Sequence, residues 1–135
     1  MKNKLLLPHL ITNALEKTLK TSFIMNTIVG SNLKCLREAN RFSQEQVSTF
    51  FGINRSTYSN YESGDREAPL NVLEKASNLF GCDLYMLFEE SESIVNDMLV
   101  CAFRIDNLTD SDMSEVARFK NIVKSYLKMD QLISQ

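Results

Sequence analysis

The sequence predicts an all-α protein, a head of five helices followed by a C-terminal helical hairpin. Two observations carry this. Between Phe42 and Gly64 two short helices are delimited by their own capping residues around a single glycine. Apolar residues also recur at three- and four-residue steps in each segment, from Leu33 in the head to Tyr126 in the tail. The 135 residues leave room for one core plus appendages, and no internal repeat or low-complexity run is present.

Residues 1–26 carry 4 basic groups against 1 acidic. The Leu5-Leu6-Leu7-Pro8 run is too short for a bilayer and is interrupted by Pro8. A secretion signal, suggested by Lys2-Asn3-Lys4 before the leucines, is a remote alternative. Leu10, Ile11, Ala14, Leu15 and Leu19 are spaced to form one amphipathic helix that packs on the head or on a partner.

Side-chain chemistry defines the next two helices. Ser43 can accept from the backbone N–H three residues on while Gln46 reaches back, and Phe42 and Val47 flank this box as an apolar staple. The helix starts at about Gln44 and runs two turns to Phe51, where Gly52 can take positive φ and end it. Asn54 is read as the next N-cap, so a further helix opens at Arg55 and stops near Ser63-Gly64. Two helices this short and this tightly joined must cross steeply, the arrangement that sets one helix into a DNA major groove.

The head's expected core is Leu33, Leu36, Val47, Phe51, Ile53, Tyr58, Tyr61, Leu70, Leu73, Ala76, Leu79, Phe80, Leu84 and Leu87. Burying one such side chain contributes roughly 1.5–3 kcal/mol, enough in aggregate to offset the ordering of five helices. The aromatics Phe51, Tyr58, Tyr61 and Phe80 are therefore assigned to the core, and Phe50 to the surface.

Residues 27–90 resemble a Cro and phage-repressor type domain of the Xre family, a five-helix repressor-like helix-turn-helix domain. The likeness rests on the Gln-rich helix with its glycine, on Tyr61-Glu62-Ser63-Gly64, on Pro69-Leu70-Asn71-Val72-Leu73-Glu74-Lys75-Ala76 and on Gly81-Cys82-Asp83-Leu84. It implies a first helix over Gly30–Arg41, a Pro-led fourth helix, a fifth after Gly81, and an ion pair between Arg37 and Glu62 that locks the reading head to its scaffold. Breaking such a pair when buried costs roughly 3–5 kcal/mol, against under about 1 for a solvated one. Because resembling proteins begin just before the first helix, Met25 is an alternative start, with residues 1–24 an extension that is flexible or not native.

In the docking mode of this motif the first turn of the recognition helix meets base edges. The base-contact set is Arg55, Ser56 and Thr57, continued by Asn60 with Ser59 at the margin. Arg55 suits a guanine O6/N7 fork, Asn60 adenine N6/N7, and the Thr57 methyl a thymine methyl. Gln44, at the start of the preceding helix, is the first candidate for a phosphate, with Lys34, Arg41 and Arg66 as the basic edge. Residues 28–90 nevertheless hold 6 basic and 9 acidic groups, so sequence-independent attraction to nucleic acid is weak and doubling the contacts by dimerisation matters. Asp65 and Glu67 lie in the loop where resembling repressors place basic groups, which puts that loop's DNA contact in doubt.

The tail reads as two helical stripes. Ile94, Val95, Met98, Leu99, Ala102 and Phe103 form the first, and a break follows at Asp106-Asn107. Leu108-Thr109-Asp110-Ser111-Asp112-Met113 then reads as staple, N-cap and acidic first turn of a helix running to about Met129. Along it Val116, Phe119, Val123 and Tyr126 repeat at 3-4-3 spacing, widened by Met113, Ile122 and Leu127. Folding back on the head is one use of this stripe, and pairing with a second copy is favoured. Such a homodimer would hold two recognition helices about 34 Å apart, one turn of duplex, over a near-palindromic operator. The tail also resembles those of small Xre-type regulators encoded beside a toxin-like or metallopeptidase partner.

Enzyme classes lack support. His9 is the lone histidine, Cys35, Cys82 and Cys101 have no C-x-x-C spacing, and no nucleophile or phosphate-loop signature occurs. No metal or cofactor is expected, the thiols read as reduced and cytoplasmic, and no membrane association is expected. A DNA-binding regulator, most simply a repressor, is the expected function; an antitoxin-like or peptidase-partner protein is the alternative.

Overall fold

The computed structural model describes residues 6–90 and 109–134, and every regular element among them is helical. Helix α1 spans Leu6–Ala39, α2 Gln44–Phe51, α3 Arg55–Ser63 and α4 Leu70–Phe80. A 3₁₀ helix, Leu84–Phe88, stands where the fifth helix of the head was expected, and α5 spans Asp110–Ile133. The expected first arm of the hairpin, around residues 94–103, lies outside the described residues.

The first helix is far longer than Gly30–Arg41. Its 34 residues give a rod of about 50 Å. Pro8 does not block it, because the first turn of a helix has no intrahelical use for that N–H. Gly30 is therefore not a starting residue but an interior one. A Cβ at Gly30 would lie 2.4 Å from the Tyr61 carbonyl oxygen and 2.5 Å from that of Glu62, so glycine here lets the backbones of α1 and α3 touch.

The helix ends share one device. Beyond α2, Gly52 takes φ 72° and the Ile53 N–H donates back to the Ser48 carbonyl at 3.0 Å. Beyond α4, Gly81 takes φ 70° and Cys82 donates to Ser77 at 3.0 Å. The end of α1 is built alike, with Phe42 donating to Arg37 at 3.1 Å and Arg41 to Glu38 at 3.0 Å, but its left-handed residue is Arg41, at φ 58°.

Most of the expected core is buried, Leu33, Val47, Tyr58, Ala76, Leu79, Phe80 and Leu87 completely. Leu70 is a correction. It is 59% exposed, since it opens α4 directly after Pro69, at the edge of the core. Ile53 and Leu84 are only half-buried, and Phe50, expected outside, packs against the core with its ring edge-on to Phe51 at 5.9 Å. Val29, Phe42 and Val72 join the core unforeseen. The 3₁₀ helix is latched to α1 by Asn32, whose buried amide donates to the carbonyls of Leu87 and Glu89, both at 2.8 Å.

Helix α5 opens on the expected cap. The Thr109 hydroxyl accepts from the Asp112 N–H at 3.3 Å, and the Asp112 carboxylate accepts from the Thr109 hydroxyl at 2.6 Å and from the Thr109 N–H at 3.0 Å, two bonds that lower the Asp112 pKa. It then folds back onto α4 and α2 of its own head, burying Met113, Ala117 and Lys120. The candidate stripe is divided by this docking. Val116 and Val123 turn half inward, whereas Phe119 and Tyr126 stay exposed with Ile122, Met129 and Ile133.

Lysines explain the choice of face. Lys120 is fully buried, its ammonium donates to Asn40 Oδ1 at 2.5 Å just past the end of α1, and its stem lies 3.1 Å from where a Gly81 Cβ would stand. Lys124 donates to the Cys82 carbonyl at 3.2 Å. Both cations thus occupy the carbonyl ends of α1 and α4, where helix dipoles favour positive charge.

Burial pulls the Lys120 pKa down to about 8 and pushes the Cys82 thiol up to about 11. Between pH 8 and 9 the unfolded lysine, at 10.5, holds more proton than the folded one, so stability rises with pH. Above pH 9 the unfolded thiol releases its proton while the folded thiol keeps it, which opposes the rise. Urea titrations should therefore give greater stability at pH 9 than at pH 7.5, by on the order of 1 kcal/mol. Lys120→Met should abolish this difference.

Candidate nucleic-acid interface

The candidate unit is α2 and α3 with the turn between them. The α2 cap is the reciprocal box expected, Ser43 Oγ accepting from the Gln46 N–H at 3.0 Å and Gln46 Oε1 from the Ser43 N–H at 2.9 Å. At α3 the cap position is as expected, but the Asn54 side chain makes no capping hydrogen bond. Its backbone alone starts the helix, the Tyr58 N–H donating to the Asn54 carbonyl at 3.1 Å.

The orientation of α3 is fixed from below. Tyr58 and Tyr61 are buried, and Tyr58 meets Phe51 edge-on at 5.7 Å. Glu62, at the end of α3, receives a two-pronged contact from Arg37 of α1: Nε to Oε1 at 2.6 Å and a second guanidinium nitrogen to Oε2 at 3.2 Å. The Glu62 side chain is only 4% exposed, so this is the buried form of the pair. Burial alone would raise the Glu62 pKa, but hydrogen bonds from Arg37 and from the Gln44 amide reverse the sign and hold it below the ordinary value. The Arg37 guanidinium also donates to the Phe42 carbonyl at 3.0 Å, tying α1, the α1–α2 corner and α3 together.

With its inner face so held, α3 turns its first turn outward. Arg55, Ser56 and Asn60 are exposed, and Thr57 and Ser59 are half-buried beside them. This is one continuous polar strip two turns long. Gln44, expected at a phosphate, has its side-chain amide committed to Glu62 at 2.9 Å, which leaves its backbone N–H in the first turn of α2 as its group for an anion. Lys34, Arg41 and Arg66 are all exposed. The Asp65 carboxylate, in the following loop, accepts from the Ser63 hydroxyl at 2.7 Å.

Two residues that position the strip have roles the sequence did not assign them. Gly30 sets how closely α3 approaches α1, and Gln44 supports the ion pair from α2. The first could have been found only by knowing which helices touch; the second lay one residue from a recognised cap. Among the described residues no group of His, Cys, Asp and Glu could hold a metal, and no helix is long and apolar enough to cross a membrane.

Comparison with known proteins agrees with this geometry. Residues 30–91 match the helix-turn-helix domain family. The chain is 34% identical over 74 residues to the SPbeta prophage-derived uncharacterized HTH-type transcriptional regulator YonR of Bacillus subtilis, a match covering 50% of this chain and 68% of that protein. It is 36% identical over 66 residues to a protein of Pyrobaculum aerophilum named as an HTH-type transcriptional regulatory protein, covering 49% of this chain but only 26% of that longer relative. No solved structure matches the chain. The exposed strip on a locked α3, the family match and these relatives together place the chain among the Xre-type helix-turn-helix DNA-binding transcriptional regulators, the family to which it belongs.

Proposed function

We propose that the protein is a cytoplasmic, non-enzymatic repressor that reads a near-palindromic operator as a homodimer. The observation that carries this reading is the outward first turn of α3 on a head locked by the Arg37–Glu62 pair. Arg55, Ser56, Thr57, Ser59 and Asn60 address base edges, while Lys34, Arg41, Arg66 and the Gln44 N–H address phosphates. A net of −3 over residues 28–90, from 6 basic and 9 acidic groups, keeps binding to arbitrary duplex weak and leaves specificity to the strip.

Selection of bound sequences from random duplex, followed by titration of the selected site, tests this. Arg55→Ala should lose about 1–3 kcal/mol of discrimination at one base pair, whereas Arg66→Ala should weaken all sequences alike and reduce the salt slope by about 1. Equal affinity of the natural chain for selected and scrambled duplex would overturn the reading.

A second reading is favoured by α5, whose Phe119, Ile122, Tyr126, Met129 and Ile133 face outward at 3-4-3-4 spacing. On it the tail carries a protein partner of the toxin or metallopeptidase kind, with DNA binding secondary. Tyr126→Glu would then abolish the partner complex and leave operator binding intact.

A further inference from the structure

We infer that the cleft between α1, the end of α3 and α4 is a binding site for an apolar α-amino acid, and that its occupation weakens the hold of the head on DNA. The site stands by itself; its consequence rests on the operator-reading function.

Val29 of α1, Tyr61 of α3 and Leu73 of α4 supply the buried lining of this cleft, whose volume is about 220 Å³. Met25, Leu70 and Phe88 complete it as exposed apolar side chains. Residues 27–90 expose three large apolar side chains, Leu70, Tyr85 and Phe88, and two of the three stand here. Apolar surface gathered at a concave place, rather than scattered singly, marks a ligand site. A cavity of about 150 Å³ lined by apolar residues holds benzene, so this cleft takes one ring or one branched aliphatic group with a short polar end.

Opposite charges stand among the lining. Arg66 and Glu67, neighbours in the loop between α3 and α4, both reach the cleft and are exposed. Among the described residues neither side chain has an ion-pair or hydrogen-bond partner, and the half-buried Asn26 amide in the same lining has none either. An apolar wall carrying one cation and one anion is complementary to a carboxylate and an ammonium joined to an apolar group. That is the constitution of an apolar α-amino acid. The Arg66 fork suits the carboxylate, Glu67 accepts from the ammonium, and Asn26 adds a further donor. A plain acid would bring its charge against Glu67, and a plain amine would bring its charge against Arg66; the zwitterion meets both with the right sign. Glu67 thereby gains a use, since an anion in this loop opposes a phosphate.

Binding and DNA reading meet at Arg66. A carboxylate that engages its guanidinium withdraws a group that addresses a phosphate. The Arg66 N–H also donates to the Asn60 carbonyl at 3.2 Å, which fastens the wall of the cleft to the base-reading strip itself. Amino acid and operator thus compete for one side chain, and each lowers the affinity of the other by the same factor.

Amide chemical shifts of the isotopically labelled full chain, titrated with phenylalanine in the absence of DNA, test the site. The shifts of Val29, Ala68 and Leu73 should move and saturate in the millimolar range or below. 3-Phenylpropionate, which lacks the ammonium, and 2-phenylethylamine, which lacks the carboxylate, should each bind about fivefold more weakly. Glu67→Gln should remove the advantage of phenylalanine over the acid, and Arg66→Ala its advantage over the amine. Leu70→Asp, at an exposed position where an acidic side chain suits the start of α4, should leave the unfolding midpoint unchanged and weaken binding at least tenfold. Saturating phenylalanine should lower operator affinity and reduce its salt slope by about 1. Three results overturn the site: shifts that do not saturate at these positions, a Leu70→Asp chain that binds like the natural one, or both analogues binding as tightly as phenylalanine. An unchanged operator affinity with phenylalanine bound overturns the coupling. Since the titration contains no DNA, loss of the site leaves operator reading untouched, and a chain that fails to discriminate between duplexes leaves the titration readable.

Discussion

Gly30→Ala should be the most damaging single-methyl change in the head, costing about 3 kcal/mol and lowering the midpoint of thermal unfolding by on the order of 15 °C. The added carbon would sit 2.4 and 2.5 Å from two backbone oxygens at the end of α3. A flexible side chain could swing away; these carbonyls cannot, because Tyr61 is buried in the core and Glu62 is held by Arg37. Gly52→Ala is the control. There φ is +72° but nothing stands within 4 Å of the new carbon, so only the left-handed backbone penalty of about 1–2 kcal/mol applies. Equal losses in the two variants would show that α1 and α3 do not touch at Gly30. Where Gly30→Ala remains folded, α3 must tilt to make room, and operator affinity should fall further than stability explains.

Glu62→Gln should cost about 3–5 kcal/mol in urea unfolding, because it strands the Arg37 guanidinium, with its side chain 12% exposed, without a counter-charge. Replacing both partners together, Arg37→Met with Glu62→Met, should recover most of the loss, since the desolvation of two charges disappears with them. The same pair sets an acid limit. The folded Glu62 pKa lies below its ordinary 4.5, so the stabilisation is fully present above about pH 4.5 and is lost as pH falls through the lower, folded value. Stability measured between pH 5 and 3 should fall in the natural chain more steeply than in Glu62→Gln. Parallel slopes would mean that the carboxylate contributes nothing there.

Features of short sequence range were legible and those of long range were not. The box at Ser43–Gln46, the turn at Gly52, the cap at Thr109 and the boundaries of α2 and α3 depend on residues within five positions of one another, and side-chain chemistry alone specifies them. The exposed strip on α3 followed from the same boundaries. Gly30 was read as the beginning of a helix because its reason lies thirty residues away, at Tyr61 and Glu62. Lys120 was passed over because a lysine beside an apolar stripe ordinarily lies in water; its burial requires the ends of α1 and α4 to meet, which no local pattern reveals. Leu70 kept the periodicity of α4 but fell at its first position, beyond the edge of the core. The Arg37–Glu62 pair came from resemblance, since nothing in the spacing of two charges twenty-five residues apart says that they touch.

The corner at Arg41 has a consequence for how freely this head can vary. An arginine is held there in a backbone shape that glycine adopts without strain, at a penalty of about 1–2 kcal/mol. Substituting glycine would relax the bend and make the scaffold sturdier, yet it would erase a positive charge from the rim beside the opening of α2. Robustness and charge are opposed at this one residue, and the sequence has settled on charge.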